Sequence, residues 1–234
     1  VVKEYKEIIK DKLQTAKKYE EACKKFNIEY INQNGKFGNG NFYKFVIISK
    51  NKNITEFLPT IKTTTSKVSD YALKEAAYLV DHMIGHRQDI IDNLIKRNCR
   101  LVVMAHDEFT TQVPEHSKMT PAKFWDRRAR GLGTSRTDPV ASCAEENLLC
   151  YPGDPYNTEN IMIHEFAHAI HLNGIFDVDT TFDKRLGKTY KAAMAKGLWK
   201  SKYAANNKAE YWAEGVQSWF NSNRPPDHDH NHID

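Results

Sequence analysis

The sequence has no long apolar run and contains little cysteine or proline. Its 234 residues include four cysteines and eight prolines, with 40% hydrophobic and 27% charged residues. A membrane-spanning helix needs about 18 or more consecutive apolar residues, which no segment approaches, so we expect no membrane partner. The cysteines form no Cys-x-x-Cys pair, which argues against a thiolate zinc site. This composition is typical of a single globular domain, residues 1–234, with an ordinary core.

The four cysteines bear on the compartment, because their number is even. They are Cys23, Cys99, Cys143 and Cys150, in a sequence that begins with Val1 instead of methionine. Both features favour a processed, secreted protein with two disulfides. Among the three possible connectivities, we expect Cys143–Cys150, which closes a short loop, and Cys23–Cys99, which ties the first helix to the body. The alternative is that all four are reduced thiols.

One stretch of the chain is strongly basic, although the formal net charge of the whole chain is only +4. It contains Lys118, Lys123, Arg127, Arg128, Arg130 and Arg136, against Asp126 as the acidic residue. Neither interleaved aromatic residues nor a nucleic-acid-binding motif accompanies these charges, so a solvated face or loop anchors explain them better. We therefore expect no nucleic-acid partner.

Apolar periodicity predicts an α+β protein. Helices are indicated over residues 2–26, 70–83, 87–97, 182–196 and 203–220, the second capped by Ser69 or Asp70. Strands are indicated over residues 42–49, 100–105 and 146–151. Residues 111–139 form a loop-rich connection, which we expect Phe124 and Trp125 to pin to the body.

These elements divide the domain into two lobes and a tail. Residues 1–158 make an N-terminal lobe with the sheet, residues 159–222 make a helical lobe, and residues 223–234 make a flexible His/Asp-rich tail. The strand over residues 146–151 directly precedes the helical lobe. It is either an ordinary core strand or the sheet edge that pairs with an extended substrate.

The chemistry is concentrated in residues 161–171, which read IMIHEFAHAIH. Apolar residues surround the polar ones, which indicates a largely buried helix. Asn157 or Thr158 can cap its start, and Gly174 stands where a helix ends in the left-handed conformation.

Two histidines of this helix have the spacing of a metal site. His164 and His168 lie four residues apart, so both imidazoles project from one face and can share one Zn²⁺ at roughly 2.0–2.1 Å each. Glu165 lies beside the pair, within reach of a metal-bound water, as the general base of a metallopeptidase does. The alternative is a buried helix whose histidines only form hydrogen bonds. Three titratable groups on an apolar helix are costly without a metal.

A catalytic zinc needs a third protein ligand and one open position. The sequence has His171 and Gly174, the reverse of the order in a His-Glu-x-x-His-x-x-Gly-x-x-His site, which excludes that class. Asp177 and Asp179 are possible ligands, although little chain is available to turn back from the helix. His171 returns to the face of His164, where it lines the cleft, supports a ligand from behind or serves packing alone.

Glu210 is the more distant candidate for this third ligand. It stands on a later predicted helix, with Glu214 one turn further along. A helix that crosses behind the metal can present Glu210 to zinc and Glu214 to the free N–H of a ligand histidine, which fixes its tautomer. The alternative is an exposed acidic face, which their apolar and aromatic neighbours disfavour.

The motif HEFAH at residues 164–168, Tyr203 and the segment NKAEYWAE at residues 207–214 resemble the catalytic domain of the anthrax lethal factor-like zinc peptidases, which belong to the gluzincin class. The resemblance covers roughly residues 160–220 and does not extend to the first 150. It implies a zincin-like metallopeptidase domain with a small mixed sheet, an active-site helix and a mostly helical C-terminal lobe.

The same resemblance implies a role for each matched residue. One catalytic Zn²⁺ is held by His164, His168 and Glu210, Glu165 is the base, and Tyr203 assists the oxyanion. We therefore expect a secreted, monomeric zinc endopeptidase that acts on peptide or protein substrates. The alternative is a catalytically inactive zinc-binding protein for adhesion, matrix assembly or metal sequestration.

Overall fold

Six strands and seven α-helices lie in the part of the chain that the computed structural model describes, which is the backbone of residues 31–36 and 42–47 and all of residues 61–224. The strands are β1 (Ile31–Lys36), β2 (Phe42–Ile47), β3 (Ile61–Thr63), β4 (Arg100–Met104), β5 (Gly131–Leu132) and β6 (Val140–Ala144). The helices are α1 (Asp70–Ile84), α2 (Gln88–Lys96), α3 (Ala122–Arg128), α4 (Glu145–Leu148), α5 (Ile161–Ala169), α6 (Phe182–Ala195) and α7 (Lys208–Trp219). Short 3₁₀ turns lie at Thr110–Gln112, Pro114–His116 and Tyr203–Ala205, and a π-helical segment covers Ile170–Ile175.

Most of the predicted elements are confirmed within the described residues. The helices predicted over residues 70–83, 87–97 and 182–196 and the strands over 42–49 and 100–105 are present within a few residues of those bounds. The helix predicted over 203–220 is a 3₁₀ turn followed by α7. The helix predicted over 2–26 lies outside the described residues. None of the helices in residues 61–224 is long and apolar enough to cross a membrane.

The strands form two sheets. β1 and β2 pair antiparallel, with Ile31 opposite Ile47. The larger sheet has the order β3-β4-β6-β5, in which β3, β4 and β6 are parallel and β5 runs antiparallel to β6. This small mixed sheet, flanked by helices, agrees with the expected α+β class. β5 forms one edge of the sheet among the described residues.

The core lies between the larger sheet and helices α1, α2 and α5. Ser69 caps α1 by accepting a hydrogen bond from the Tyr71 N–H, and the helix buries Leu73 and Leu79 completely. Phe166 of α5 is equally buried, and each such apolar side chain contributes about 1.5–3 kcal/mol. Because α5 packs against both β6 and α7, its polar face has a fixed position between the sheet and the C-terminal helix.

The prediction of a strand over residues 146–151 is wrong. The nearest strand is β6, which ends two residues before this segment begins and is central in the sheet, and it is followed by the short helix α4. The Glu145 carboxylate accepts hydrogen bonds from the Ser69 and His106 N–H groups, and the Asn147 side chain accepts one from the Ile161 N–H. These buried polar contacts hold the segment in place, so it cannot pair with a substrate as a sheet edge.

We expected aromatic residues to pin the connection over residues 111–139 to the body of the protein, but they do not. α3 has no buried residue, and Phe124 is 49% exposed. Polar contacts anchor it: Thr110 donates a hydrogen bond to the Ala129 carbonyl, and Asp126 accepts from the Thr111 N–H.

The expected Cys143–Cys150 disulfide is not formed in this structure, in which Cys99 and Cys143 are buried free thiols. The expected Cys23–Cys99 disulfide involves Cys23, which lies outside the described residues. Cys143 is in the middle of β6, opposite Val103 of β4 and Gly131 of β5. Helix α4 occupies the interval before Cys150, so the short loop that a disulfide would close is absent.

Candidate metal centre

The helix that carries the two histidines begins at a double cap. The Asn160 side chain accepts a hydrogen bond from the Ile163 N–H, and the Asn147 side chain accepts one from the Ile161 N–H. The caps predicted at Asn157 and Thr158 are therefore wrong.

The predicted end at Gly174 is also wrong, because α5 continues into the π-helical segment that contains this residue. A Cβ at Gly174 would lie 2.7 Å from Ile90 Cγ2 of α2. The missing side chain thus permits close packing of the two elements instead of a left-handed turn.

Three candidate ligands converge between α5 and α7. His164 and His168 are buried, and their ring centroids lie 5.1 Å apart. Glu210 Oε2 lies 3.0 Å from His164 Nε2 and 3.5 Å from His168 Nε2. One donor atom from each of the three residues lies within 4.8 Å of the others. The Asn207 side chain caps α7 by accepting from the Glu210 N–H, which fixes this glutamate in the first helical turn.

The two distances from the Glu210 carboxylate to the histidine nitrogens are compatible with a tetrahedral metal ion. Ligands at roughly 2.0–2.1 Å from a tetrahedral Zn²⁺ lie about 3.4 Å from one another, close to the 3.0 and 3.5 Å found here. Two imidazoles and one carboxylate are also a ligand set that zinc uses in catalytic sites. The residues present therefore fit the metal that the sequence resemblance implies.

The alternative ligands Asp177 and Asp179 point elsewhere. Asp177 forms ion pairs with Arg136 at 2.8 Å and Arg97 at 3.5 Å. Asp179 pairs with Arg185 at 2.5 Å. Both carboxylates are half-exposed in these pairs and take no part in the cluster.

His164 and Glu210 of the cluster stabilise each other in their charged forms. Burial lowers the pKa of His164, but the Glu210 and Glu214 carboxylates more than offset this effect, so the pKa of the imidazole stands well above its usual value. Burial raises the pKa of Glu210, yet its hydrogen bonds with His164 and His168 bring it down to about 2. Glu210 is therefore ionised at neutral pH, as a metal-binding carboxylate must be.

The second ring nitrogen of His164 is held by α7. His164 Nδ1 lies 2.8 Å from Gln217 Oε1 and 3.3 Å from Glu214 Oε1. Glu214 is fully buried, as its predicted supporting role requires. A donor hydrogen bond from Nδ1 leaves the Nε2 lone pair for a metal. Gln217 was not identified from the sequence, although it stands one turn beyond Glu214 on the same helix face.

The carboxylate of Glu214 is itself fixed by residues at the end of the described chain. Asn223 Nδ2 lies 3.1 Å from Glu214 Oε2, and Arg224 Nη2 lies 3.4 Å from Glu214 Oε1. Arg224 also pairs with Glu159 at 2.5 Å. Asn223 and Arg224 therefore belong to the helical lobe and not to the flexible tail predicted over residues 223–234, of which residues 225–234 lie outside the described part.

Glu165 and Tyr203 flank the ligands at the cleft. Burial raises the pKa of Glu165 above its usual value, which suits a group that must take up a proton near neutral pH. The Tyr203 ring centroid lies 6.0 Å from that of His164, and the guanidinium of Arg224 lies 5.2 Å from the Tyr203 ring. Burial also raises the pKa of Tyr203, so its hydroxyl remains a hydrogen-bond donor.

His171 is not among the residues that line the cleft, which favours the packing role that the sequence left open for it. It is 1% exposed, and its Nε2 lies 3.1 Å from Asp183 Oδ1. Lys208 Nζ donates to the other Asp183 oxygen at 2.6 Å. This chain of contacts joins the π-helical segment, α6 and the start of α7, which is a structural role.

A cleft of about 800 Å³ opens in front of the three ligands. Its walls come from the α3–β5 connection, from the loop before α5 and from the 3₁₀ turn that carries Tyr203. Gly133, directly after β5, lies so close to the cluster that a Cβ there would be 2.7 Å from His168 Cδ2 and 3.0 Å from Glu165 Oε2. The sheet edge therefore runs beside the candidate ligands.

No protein-family model matches this chain, and no curated protein is significantly similar to it.

Proposed function

We propose that this protein is a zinc-dependent endopeptidase with a zincin-like fold of the gluzincin type. The observation that carries the proposal is the convergence of His164, His168 and Glu210 within 4.8 Å, with Glu165 beside them at the floor of an open cleft. A purely structural cluster has no need of a cleft, and a closed metal site leaves no position for a substrate. We also propose that the protein is secreted and acts as a monomer.

Each residue of the cluster has a distinct task in peptide hydrolysis. His164, His168 and Glu210 would hold the zinc ion, which would supply a Lewis acid for the substrate carbonyl and a water whose pKa is lowered to about 7. Glu165 accepts the proton of the attacking water and then returns it to the leaving amine. The Tyr203 hydroxyl donates a hydrogen bond to the oxyanion that develops on the carbonyl oxygen.

The substrate lies along β5 in this proposal. β5 is paired with β6 on one side only among the described strands, and its backbone continues into Gly133 beside Glu165 and His168. An extended peptide can add to such an edge through main-chain hydrogen bonds, which brings its carbonyl groups past the base. This edge replaces the one that the sequence indicated over residues 146–151.

Glu165→Gln tests this function, because the amide keeps the size of the side chain but cannot accept the proton. We expect the variant to bind zinc as the parent does and to lose about 10²–10⁴-fold in rate. Tyr203→Phe should lose roughly 10²-fold, by analogy with the loss of one oxyanion donor. The assay is hydrolysis of a quenched-fluorescent peptide library after chelation and after Zn²⁺ is restored.

The outcomes distinguish the peptidase from a zinc-binding protein without activity. Hydrolysis that a chelator abolishes, that Zn²⁺ restores and that Glu165→Gln lacks is the expected result. Zinc binding without hydrolysis of any library peptide would contradict the proposal and favour adhesion, matrix assembly or metal sequestration. Full activity of Glu165→Gln would show that the base is another group.

A further inference from the structure

One cation of the cleft, Arg128, has a fixed backbone and a free side chain. Arg128 is the last residue of α3 and lines the cleft three residues before β5 begins. The Tyr156 hydroxyl, which also lines the cleft, donates a hydrogen bond to the Arg128 carbonyl. The side chain is exposed, and its guanidinium lies 5.7 Å from the centroid of the Phe124 ring. Its base is thus anchored at the cleft wall while its charge faces solvent.

The other two arginines of the cleft are already neutralised by carboxylates. Arg130 pairs with Glu146 at 2.5 Å, and Arg224 pairs with Glu159 at 2.5 Å. Both of these carboxylates are buried. Within residues 61–224, the Arg128 guanidinium forms neither a hydrogen bond nor an ion pair. It is therefore the uncompensated positive charge of the described cleft wall.

The charge of Arg128 reaches the part of the cleft where a substrate would react. Burial raises the pKa of Tyr156, and the positive charge of Arg128 acts against this rise. Tyr156 and Tyr203 line the same cleft as Arg128, and Tyr203 stands beside His164. A substrate group bound near Tyr156 is therefore within reach of the Arg128 charge.

We propose, on the premise that this cleft binds peptides as described above, that Arg128 selects substrates with an aspartate or glutamate near the scissile bond. Every second side chain of a peptide paired with β5 points to the same side, so one of them can face Arg128. The planar guanidinium has a fork of donors that matches a carboxylate. A lysine at that position meets repulsion instead.

The size of this preference follows from the exposure of the side chain. Exposed ion pairs contribute little, so we expect a glutamate to improve kcat/KM about 3- to 5-fold over glutamine at the same position. Repulsion of lysine widens the ratio of glutamate to lysine to roughly 10-fold. The preference is expected in KM, and it should shrink as salt screens the charge.

The experiment has a hydrolysis arm with a matched control. A peptide library randomised around the cleavage point locates the position with the strongest preference, and peptides with Glu, Gln or Lys at that position are then compared. The proteins are the parent, Arg128→Gln, Arg128→Glu and Arg127→Gln, since Arg127 is an exposed neighbour that does not line the cleft. We expect Arg128→Gln to abolish the preference, Arg128→Glu to reverse it towards Lys and Arg127→Gln to keep it.

A binding arm separates this proposal from that of the peptidase. Fluorescence anisotropy measures the dissociation constants of two fluorescent peptides, one with Glu at every second residue and one with Lys at the same positions. The binding proteins are the Glu165→Gln variant and the double variant that also carries Arg128→Glu. If the protein prefers the Glu peptide and Arg128→Glu reverses this preference, the role of Arg128 is supported even if no peptide is hydrolysed. The absence of hydrolysis would contradict only the proposed peptidase activity. Equal affinities for the two peptides, or a preference that survives Arg128→Glu, overturn the role of Arg128.

Discussion

Replacing Gly133 by alanine places a methyl group against the candidate metal cluster. The added Cβ would lie 2.7 Å from His168 Cδ2 and 3.0 Å from Glu165 Oε2. Non-bonded carbon atoms prefer separations of about 3.5–4.0 Å. The distance between the added Cβ and His168 Cδ2 would therefore be about 0.8 Å too short. Either the imidazole or the strand would have to move by that distance. Gly133 is needed for this close approach and not for its backbone conformation.

The structure gives the expected magnitude of the effect. Overpacking of this kind costs about 1–3 kcal/mol of stability, and a displacement approaching 1 Å at a reacting group costs about 10²-fold in rate. We expect Gly133→Ala to remain folded, to bind zinc more weakly than the parent and to lose about 10- to 100-fold in kcat/KM. Zinc affinity is measured by calorimetric titration and activity with the quenched-fluorescent peptides.

Gly215→Ala is the matched control for this substitution. Gly215 lies inside α7, and a Cβ there would meet nothing within 4 Å. Since alanine is the better helix former, we expect a gain of about 0.5–1 kcal/mol in stability with unchanged zinc affinity. If Gly133→Ala matched this control in zinc affinity and in activity, the close contact between the sheet edge and the cluster would be refuted.

Two further predictions follow from the titratable groups. In the metal-free protein, the raised pKa of His164 keeps this imidazole protonated at neutral pH. The stability that the protonated imidazole contributes is complete below the unfolded pKa of about 6.5. It is lost as the pH rises through the pKa of the folded state. Zinc uptake should therefore release a proton, which calorimetry in buffers of different ionisation enthalpy detects, and a buffer-independent enthalpy would contradict it. Burial raises the pKa of Cys99 to about 12 and raises that of Cys143 as well, so a thiol reagent should modify neither in the native protein and both after unfolding without a reductant. If unfolding alone exposed no new thiols, these cysteines would be disulfide-bonded after all.

The sequence was most informative where one helix carries the chemistry. The spacing of His164 and His168 requires that both imidazoles share a face once the segment is helical, and the apolar neighbours ensure that the helix is buried. The structure brings Glu210 to this pair because Asn207 starts α7 at the position that presents it. That these three residues bind zinc remains a prediction.

Contacts between distant segments were beyond the reach of sequence patterns. Gln217 lies against His164 Nδ1 because α7 packs on α5, and Asn223 reaches Glu214 because the chain turns back after α7. The segment over residues 146–151 has the composition of a strand, yet it begins within the short helix α4, which the hydrogen bonds of Glu145 and Asn147 hold in place. In each case tertiary contacts decided what local propensity could not.

The role of Glu210 as the third ligand is tested most directly by titrating zinc into the parent, Glu210→Ala and Asp179→Ala in one calorimetric series. Asp179 is the suitable control, since it was a candidate ligand on sequence grounds and is paired with Arg185 in the structure. We predict one zinc ion per chain for the parent and for Asp179→Ala with equal affinity, and a loss of at least about 100-fold in affinity for Glu210→Ala. Tight, parent-like zinc binding by a folded Glu210→Ala variant would contradict the account.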